Sequence, residues 1–119
     1  MTHSSRMRIL IVEDDGLLGM MLEGLVEDLG FQVLGPMRNL QDGLDHALRD
    51  RIDFALLDFD LGNGTDALPI AEQLGRRGIP YVFTSGTDPS VIRRSLPDAK
   101  VMRKPIGERA LEMVLAAVA

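Results

Sequence analysis

This sequence predicts a doubly wound α/β fold, with a five-stranded parallel sheet in the order 2-1-3-4-5 and helices on both faces. Three observations predict it. Short apolar runs alternate five times with longer segments of helical period, and such a repeat calls for a parallel sheet between helix layers. The runs are near-continuous rather than alternating, as strands buried on both faces are. Polar and ionisable residues follow four of the five runs, and in such sheets ligand chemistry gathers at the carboxyl ends of the strands.

The elements follow in order. Met7 to Val12 is the first apolar run. From Asp15 to Leu29, Leu17, Leu18, Met21, Leu22, Leu25 and Leu29 recur at helical steps, and Gly30 stops the helix. Phe31 to Leu34 reads as the second strand, closed by Gly35-Pro36. Asn39 is placed to cap a helix bearing Leu40, Leu44, Ala47 and Leu48, with Asp42 in a box-like position. Asp53 to Leu57 is the third strand. Pro69 suits a first helical turn and opens a helix with Ile70, Ala71 and Leu74 that stops near Gly78. Ile79 to Phe83 is the fourth strand, with Pro80 at its start, where a missing donor matters little. Pro89 to Arg94 forms a short helix, Lys100 to Met102 a brief fifth strand, and Ile106 to Val118 the last helix.

The chain has 119 residues, the size of one domain. Residues 1–6 are expected to be a short polar tail and 7–119 the folded unit, with no signal peptide. Hydrophobic residues make up 45% and aromatics 4%, so the core must be aliphatic, and the seven Met are expected in packing roles. There is no cysteine, which excludes disulfides and thiolate metal sites and fits a cytoplasmic setting. No apolar run approaches the roughly 20 residues of a membrane span. Acidic residues exceed basic ones, 18 to 13, and no basic stripe is visible, so direct nucleic-acid binding is not expected. Arg76-Arg77 and Arg93-Arg94 read as solvated helix faces, and His3 and His46 as solvent-facing.

The strand ends carry the chemistry. Glu13, Asp14 and Asp15 follow the first strand, Asp58 and Asp60 the third, Thr84, Ser85 and Gly86 the fourth, and Lys104-Pro105 the fifth. Taken singly, each has a plainer reading. The acidic triplet could be a helix amino-terminal charge cluster, and a hydroxyl at a strand end could be a local cap. Together they suggest a site. Crowded carboxylates repel unless a cation shares them, and a hard divalent ion such as Mg²⁺, with Mn²⁺ as the alternative, takes such oxygen ligands. A carboxylate so held can act as nucleophile toward phosphorus. Asp58 is then the acceptor, Lys104 a point charge and Ser85 a hydroxyl donor, with Thr84 as second choice.

Ile9-Leu10-Ile11-Val12-Glu13-Asp14-Asp15, Leu56-Leu57-Asp58 and Arg103-Lys104-Pro105 resemble the motifs of the bacterial two-component receiver domains, over nearly the whole chain from Met7. The resemblance implies the CheY-like, flavodoxin-like (βα)5 fold and a cis Lys-Pro bond. It also implies Mg²⁺ held by Asp14, Asp58 and the backbone carbonyl of Asp60, with Glu13 acting mostly through water. Leu57 to Gly62, Pro69-Ile70-Ala71 and Gly78 to Gly86 are similar to the FATGUY receivers, mostly single-domain proteins often paired with histidine kinases of the HWE class. In that alignment Ser85 takes the switch-hydroxyl place. There are two departures. Val101 stands where ordinary receivers carry an aromatic switch residue, and Thr87-Asp88 where the subgroup has an aromatic.

The function expected is a single-domain response regulator that is phosphorylated on Asp58 by a sensor histidine kinase or phosphotransfer protein and acts on a separate protein target. It is not expected to turn over a substrate beyond self-catalysed phosphoryl transfer and loss. Two alternatives are a haloacid-dehalogenase-like phosphatase, in which Asp58 is nucleophile and Asp60 general acid, and a pseudo-receiver that binds without being phosphorylated.

Overall fold

The computed structural model describes residues 6–118; of the expected amino-terminal tail only Arg6 lies among them, and His3 lies outside. Ten elements alternate along the chain: β1 (Arg8–Val12), α1 (Gly16–Asp28), β2 (Gln32–Met37), α2 (Leu40–Arg49), β3 (Phe54–Asp58), α3 (Leu68–Arg76), β4 (Tyr81–Ser85), α4 (Pro89–Arg93), β5 (Val101–Arg103) and α5 (Glu108–Val118). All strand pairs are parallel, as the alternation predicts, and the order is β2-β1-β3-β4-β5, the one expected.

The pleat divides the strand residues between two cores. Leu10, Val12, Ala55, Leu57 and Phe83 face α2, α3 and α4, meeting Ala47, Ile70, Leu74 and Ile92. Ile9, Ile11, Phe54, Leu56 and Val82 face α1 and α5, meeting Leu22, Val26, Leu111 and Leu115. β3 is buried along its whole length, which makes it the central strand and delivers its last residue, Asp58, to the middle of the carboxyl-end rim. The packing against α2 is close: a methyl added at Gly43 would lie 2.7 Å from Ile70 Cδ1 and 3.1 Å from Val12 Cγ2.

Caps formed where the side chains allow. Asp15 Oδ1 accepts from the N–H groups of Leu17 and Leu18, and Asn39 Oδ1 from that of Asp42.

Several expectations need correction. β2 does not close at Gly35-Pro36 but runs on to Met37, through a cis Gly35-Pro36 bond and a shift of register. Gly35 has φ +108° and a Cβ there would sit 2.7 Å from the Ile11 carbonyl, so only glycine lets the strand pass. Asp58, Thr84 and Ser85 lie inside the last positions of their strands rather than after them. The packed face of α1 is Gly19, Leu22 and Val26, while Leu17 and Met21 face solvent; the helix is apolar nearly all round, so periodicity did not single out the buried side. Met20, Met21 and Met113 are likewise exposed rather than core residues. His46 is half-buried and bonded to Asp50 through Nδ1. Arg77 does not merely face water: its guanidinium forks onto the carbonyls of Ala47 and Asp50, each at 2.7 Å, and ties the end of α3 to the end of α2. Among the described residues no helix is long and apolar enough to cross a membrane.

Candidate functional site

The carboxyl-end rim collects the charged residues. β1 delivers Glu13 and Asp14 and β3 delivers Asp58, and one carboxylate oxygen from each lies within 4.8 Å of the others. Lys104, just past β5, points its ammonium at the same place: Nζ is 2.9 Å from Glu13 Oε1 and 3.2 Å from Asp58 Oδ1. Glu13 and Asp58 are buried, at 1% and 3% exposure, and Asp14 is half-buried at the mouth. The acidic triplet therefore divides: Asp15 is the cap of α1, as the plainer reading had it, while Glu13 and Asp14 turn into the pocket.

Lateral bonds hold the rim. Glu13 N–H donates to the Met37 carbonyl at 2.8 Å, Phe59 N–H to Thr84 at 3.0 Å, and Lys104 N–H to Ser85 at 2.8 Å. The Lys104-Pro105 bond is cis, as the resemblance implies. After β3 the chain makes a small hairpin: Thr65 N–H donates to the Gly62 carbonyl, Asp60 bridges Asp66, and Asn63 and Gly64 take positive φ at the turn. This hairpin brings Gly62 beside Asp14, whose Oδ2 would lie 3.5 Å from a methyl on that glycine.

Charge crowding shows in the titration of the cluster. Burial, and then the neighbouring Glu13 and Asp14, push the Asp58 carboxyl up to about 8, with Lys104 pulling the other way. Asp14 is held below its ordinary value, chiefly by the neighbouring Asp58 carboxyl, so the two shift in opposite directions. At Lys104 burial disfavours the ammonium, but Glu13 and Asp58 outweigh it and hold its pKa above the usual value. One atom is left over. Glu13 Oε1 is buried and has no hydrogen bond, because the Lys104 ammonium, though close, is out of line for one. A buried acceptor whose one neighbour is an ammonium poorly aligned for a hydrogen bond, in a cluster of mutually repelling carboxylates, is what a bound divalent cation would relieve. The donor set of Glu13, Asp14 and Asp58, all hard oxygens, fits Mg²⁺.

Not every expected residue joins the cluster. Ser85 is buried at the end of β4, but its hydroxyl is engaged with Thr87, 2.9 Å from that Oγ1 and accepting from its N–H at 3.0 Å. Thr84 is buried and stands in register with Asp58 on β3. Asp60 is exposed, and its carboxylate accepts from the Gly62 N–H at 2.9 Å. One residue escaped the sequence reading. Because β2 extends to Met37, Arg38 is the first residue past its carboxyl end, and its Nη2 donates to the Asp14 carbonyl at 3.1 Å. All five strands, not four, therefore end in ionisable or polar residues.

No protein-family model matches the chain. It is similar to SdrG from Sphingomonas melonis Fr1, with 34% identity, a TM-score of 0.82 and 98% of each chain covered. It is likewise similar to the BeF3-activated conformation of SdrG from Pseudomonas melonis Fr1, with 34% identity, a TM-score of 0.79 and 98% of each chain covered. The chain also shares its fold with a CheY-like response regulator receiver domain protein from Methanospirillum hungatei JF-1, with 22% identity, a TM-score of 0.81, and 96% of this chain and 94% of that one covered. Among curated proteins it is 30% identical to a protein-glutamate methylesterase/protein-glutamine glutaminase of Symbiobacterium thermophilum. That match takes in 92% of this chain but 32% of the relative, so the chain spans about a third of that protein.

Proposed function

This chain belongs to the response-regulator receiver domains, and from that membership we propose that it is a phospho-acceptor. Asp58 takes a phosphoryl group from a phosphohistidine on a sensor histidine kinase or a phosphotransfer protein, and the modified chain changes its affinity for a partner protein. The observation that carries this reading is the convergence of the Asp14 and Asp58 carboxylates with the Lys104 ammonium on one rim of the sheet.

The transfer balances simply. An Asp58 carboxylate oxygen forms the new O–P bond as the donor's N–P bond breaks, and the imidazole leaves with the bonding electron pair, to be protonated from solvent. Glu13, Asp14 and Asp58 would hold Mg²⁺ or Mn²⁺, which when bound supplies charge neutralisation for the phosphoryl oxygens. The chain's own part is to position and to neutralise. β3 fixes the nucleophile, Lys104 sits within 3.2 Å of Asp58 Oδ1 to meet the arriving charge, and the buried pocket strengthens both effects by excluding water. Ser85 is the hydroxyl proposed to bind a new oxygen, with Thr84 the second choice. Its oxygen now lies 2.9 Å from Thr87 Oγ1 and would turn from there toward the phosphoryl group.

The rival readings fare less well. A phosphatase would use Asp60 as its general acid, yet that carboxylate is exposed and committed to the Gly62 N–H. A pseudo-receiver has no use for three carboxylates and an ammonium drawn together at this cost. The likeness to FATGUY receivers favours a kinase of the HWE class as donor, and the absence of cysteine is compatible with a cytoplasmic setting.

The test is labelling by acetyl phosphate with Mg²⁺, read by intact mass. The wild type should gain one phosphoryl group and Asp58→Asn none. Labelling retained at another position would remove Asp58 from the role, and many phosphates released per chain would favour the phosphatase.

A further inference from the structure

Arg38 has no part in the reading above, yet it stands at the mouth of the same site. The Met37 carbonyl is bonded to the Glu13 N–H, which sets the end of β2 against the start of the acidic segment. From there the Arg38 guanidinium reaches across, donates from Nη2 to the Asp14 carbonyl and lies over the first residue of α1. A methyl on Gly16 would fall 3.2 Å from Arg38 Cζ and 3.3 Å from both Nη atoms, so the absence of a side chain at Gly16 leaves the room that the guanidinium occupies. Among the described residues no carboxylate is within ion-pairing distance of Arg38, and it is exposed. A guanidinium offers five N–H donors in a planar fork suited to phosphate; the single bond recorded here leaves the rest of the fork free.

The charge balance of the pocket gives this cation a task. With a divalent ion bound and the three carboxylates ionised around it, the ion and the Lys104 ammonium bring the sum to zero. A dianionic phosphodonor then approaches a pocket with no net positive charge. Arg38 is an additional cation at the mouth, joined to the Asp14 backbone.

We infer that Arg38 is a donor-binding residue, whose free guanidinium edge draws and orients the phosphate of an anionic phosphodonor as it enters beside Asp14. This rests on the phospho-acceptor reading and adds a residue to it. Because the role is to attract an anion, removing Arg38 should weaken donor capture while leaving cation binding intact or tighter. A brace that merely held Asp14 in place would, on removal, weaken the cation as well.

The experiment compares wild type, Arg38→Ala and Arg38→Lys. It measures initial labelling rates against acetyl phosphate and against phosphoramidate, which carries less negative charge, at low and high salt, and Mg²⁺ affinity separately. Arg38→Ala should lower the apparent second-order rate with acetyl phosphate about fivefold at low salt, the scale of one exposed charge-assisted contact. The loss should be smaller with phosphoramidate and shrink at high salt, and Arg38→Lys should recover part of it. Equal rates in wild type and Arg38→Ala would overturn the inference, and so would a loss matched by weaker Mg²⁺ binding. If the wild type itself takes up no phosphoryl group, the acceptor reading fails and this one with it; a labelled wild type with an unaffected Arg38→Ala sinks only the role of Arg38.

Discussion

Cation binding at this site should release a proton, because burial and the neighbouring carboxylates raise the Asp58 carboxyl. The Asp58 carboxyl, pushed up to about 8 by burial and by Glu13 and Asp14, is mostly protonated at neutral pH without metal. A divalent ion needs it ionised. At pH 7 about nine chains in ten carry that proton, so each Mg²⁺ bound should expel about 0.9 proton, falling to about 0.1 at pH 9. Apparent affinity should accordingly rise about 50-fold between pH 6 and pH 8 and then level off. Stability follows with the sign set by the direction of the shift. A carboxyl whose folded pKa lies above its unfolded value contributes stability that is complete below about pH 4 and is lost as pH climbs through about 8. Metal-free protein should therefore melt at falling temperature across that window, and saturating Mg²⁺ should remove the decline. Calorimetric titration in two buffers of different ionisation enthalpy reads the proton count directly, with Asp58→Asn as the control that should release almost none. An affinity that stays flat from pH 6 to pH 8, with no proton expelled at pH 7, would refute the reasoning.

Other perturbations test the scaffold and the approach to the site. Gly43→Ala would force a methyl to 2.7 Å from Ile70 Cδ1, and overpacking of this kind should cost about 1–3 kcal/mol, measured by denaturant unfolding. Arg77→Ala removes two hydrogen bonds to the carbonyls of Ala47 and Asp50 and should cost about 1–2 kcal/mol, with Asp58 labelling by acetyl phosphate unchanged. Leu17 and Met20 are 69% and 68% exposed on α1, the helix whose Leu18, Met21, Leu22 and Leu25 line an apolar cleft of ≈ 330 Å³ that reaches Glu13 and Lys104. Charging them, as Leu17→Glu with Met20→Glu, should slow phosphotransfer from a phosphorylated donor protein at least several-fold while leaving acetyl phosphate labelling alone; equal slowing with both donors would show a damaged site instead.

Much of this architecture was readable without coordinates, because burial on both faces leaves a direct mark on composition. The unbroken runs Met7 to Val12 and Asp53 to Leu57 read as inner strands, and the demand for chemistry at strand ends led to Glu13, Asp14 and Asp58 there and to Lys104 after the fifth strand. The errors arose where local rules compete with tertiary contacts. Gly35-Pro36 is a turn signal by itself, but pairing with β1 carries the strand through it, and that one misplaced end hid Arg38. In α1, apolar residues all round the helix leave periodicity without contrast, so the helical steps do not separate the exposed Leu17 and Met21 from the buried Leu22. His46 and Arg77 looked like surface polar residues, since bonds to a carboxylate and to helix-end carbonyls leave no trace in a hydropathy pattern. Ser85 takes its expected place from the likeness to the FATGUY receivers, and that likeness cannot reveal which neighbour its hydroxyl chooses.

That choice has a mechanical consequence. The Ser85 hydroxyl spans the bend between β4 and α4, accepting the Thr87 amide and meeting the Thr87 side chain. Swinging this hydroxyl round to donate to a phosphoryl oxygen on Asp58 would move its oxygen away from the Thr87 N–H and loosen the bend that it now holds shut. Beyond the bend lies a helix of only five residues, Pro89–Arg93, too short to persist by its own backbone bonds and anchored in the core by Ile92. With Val101 rather than a ring at β5, the news of phosphorylation would leave the pocket as slack in a loop, not as the swing of an aromatic lever.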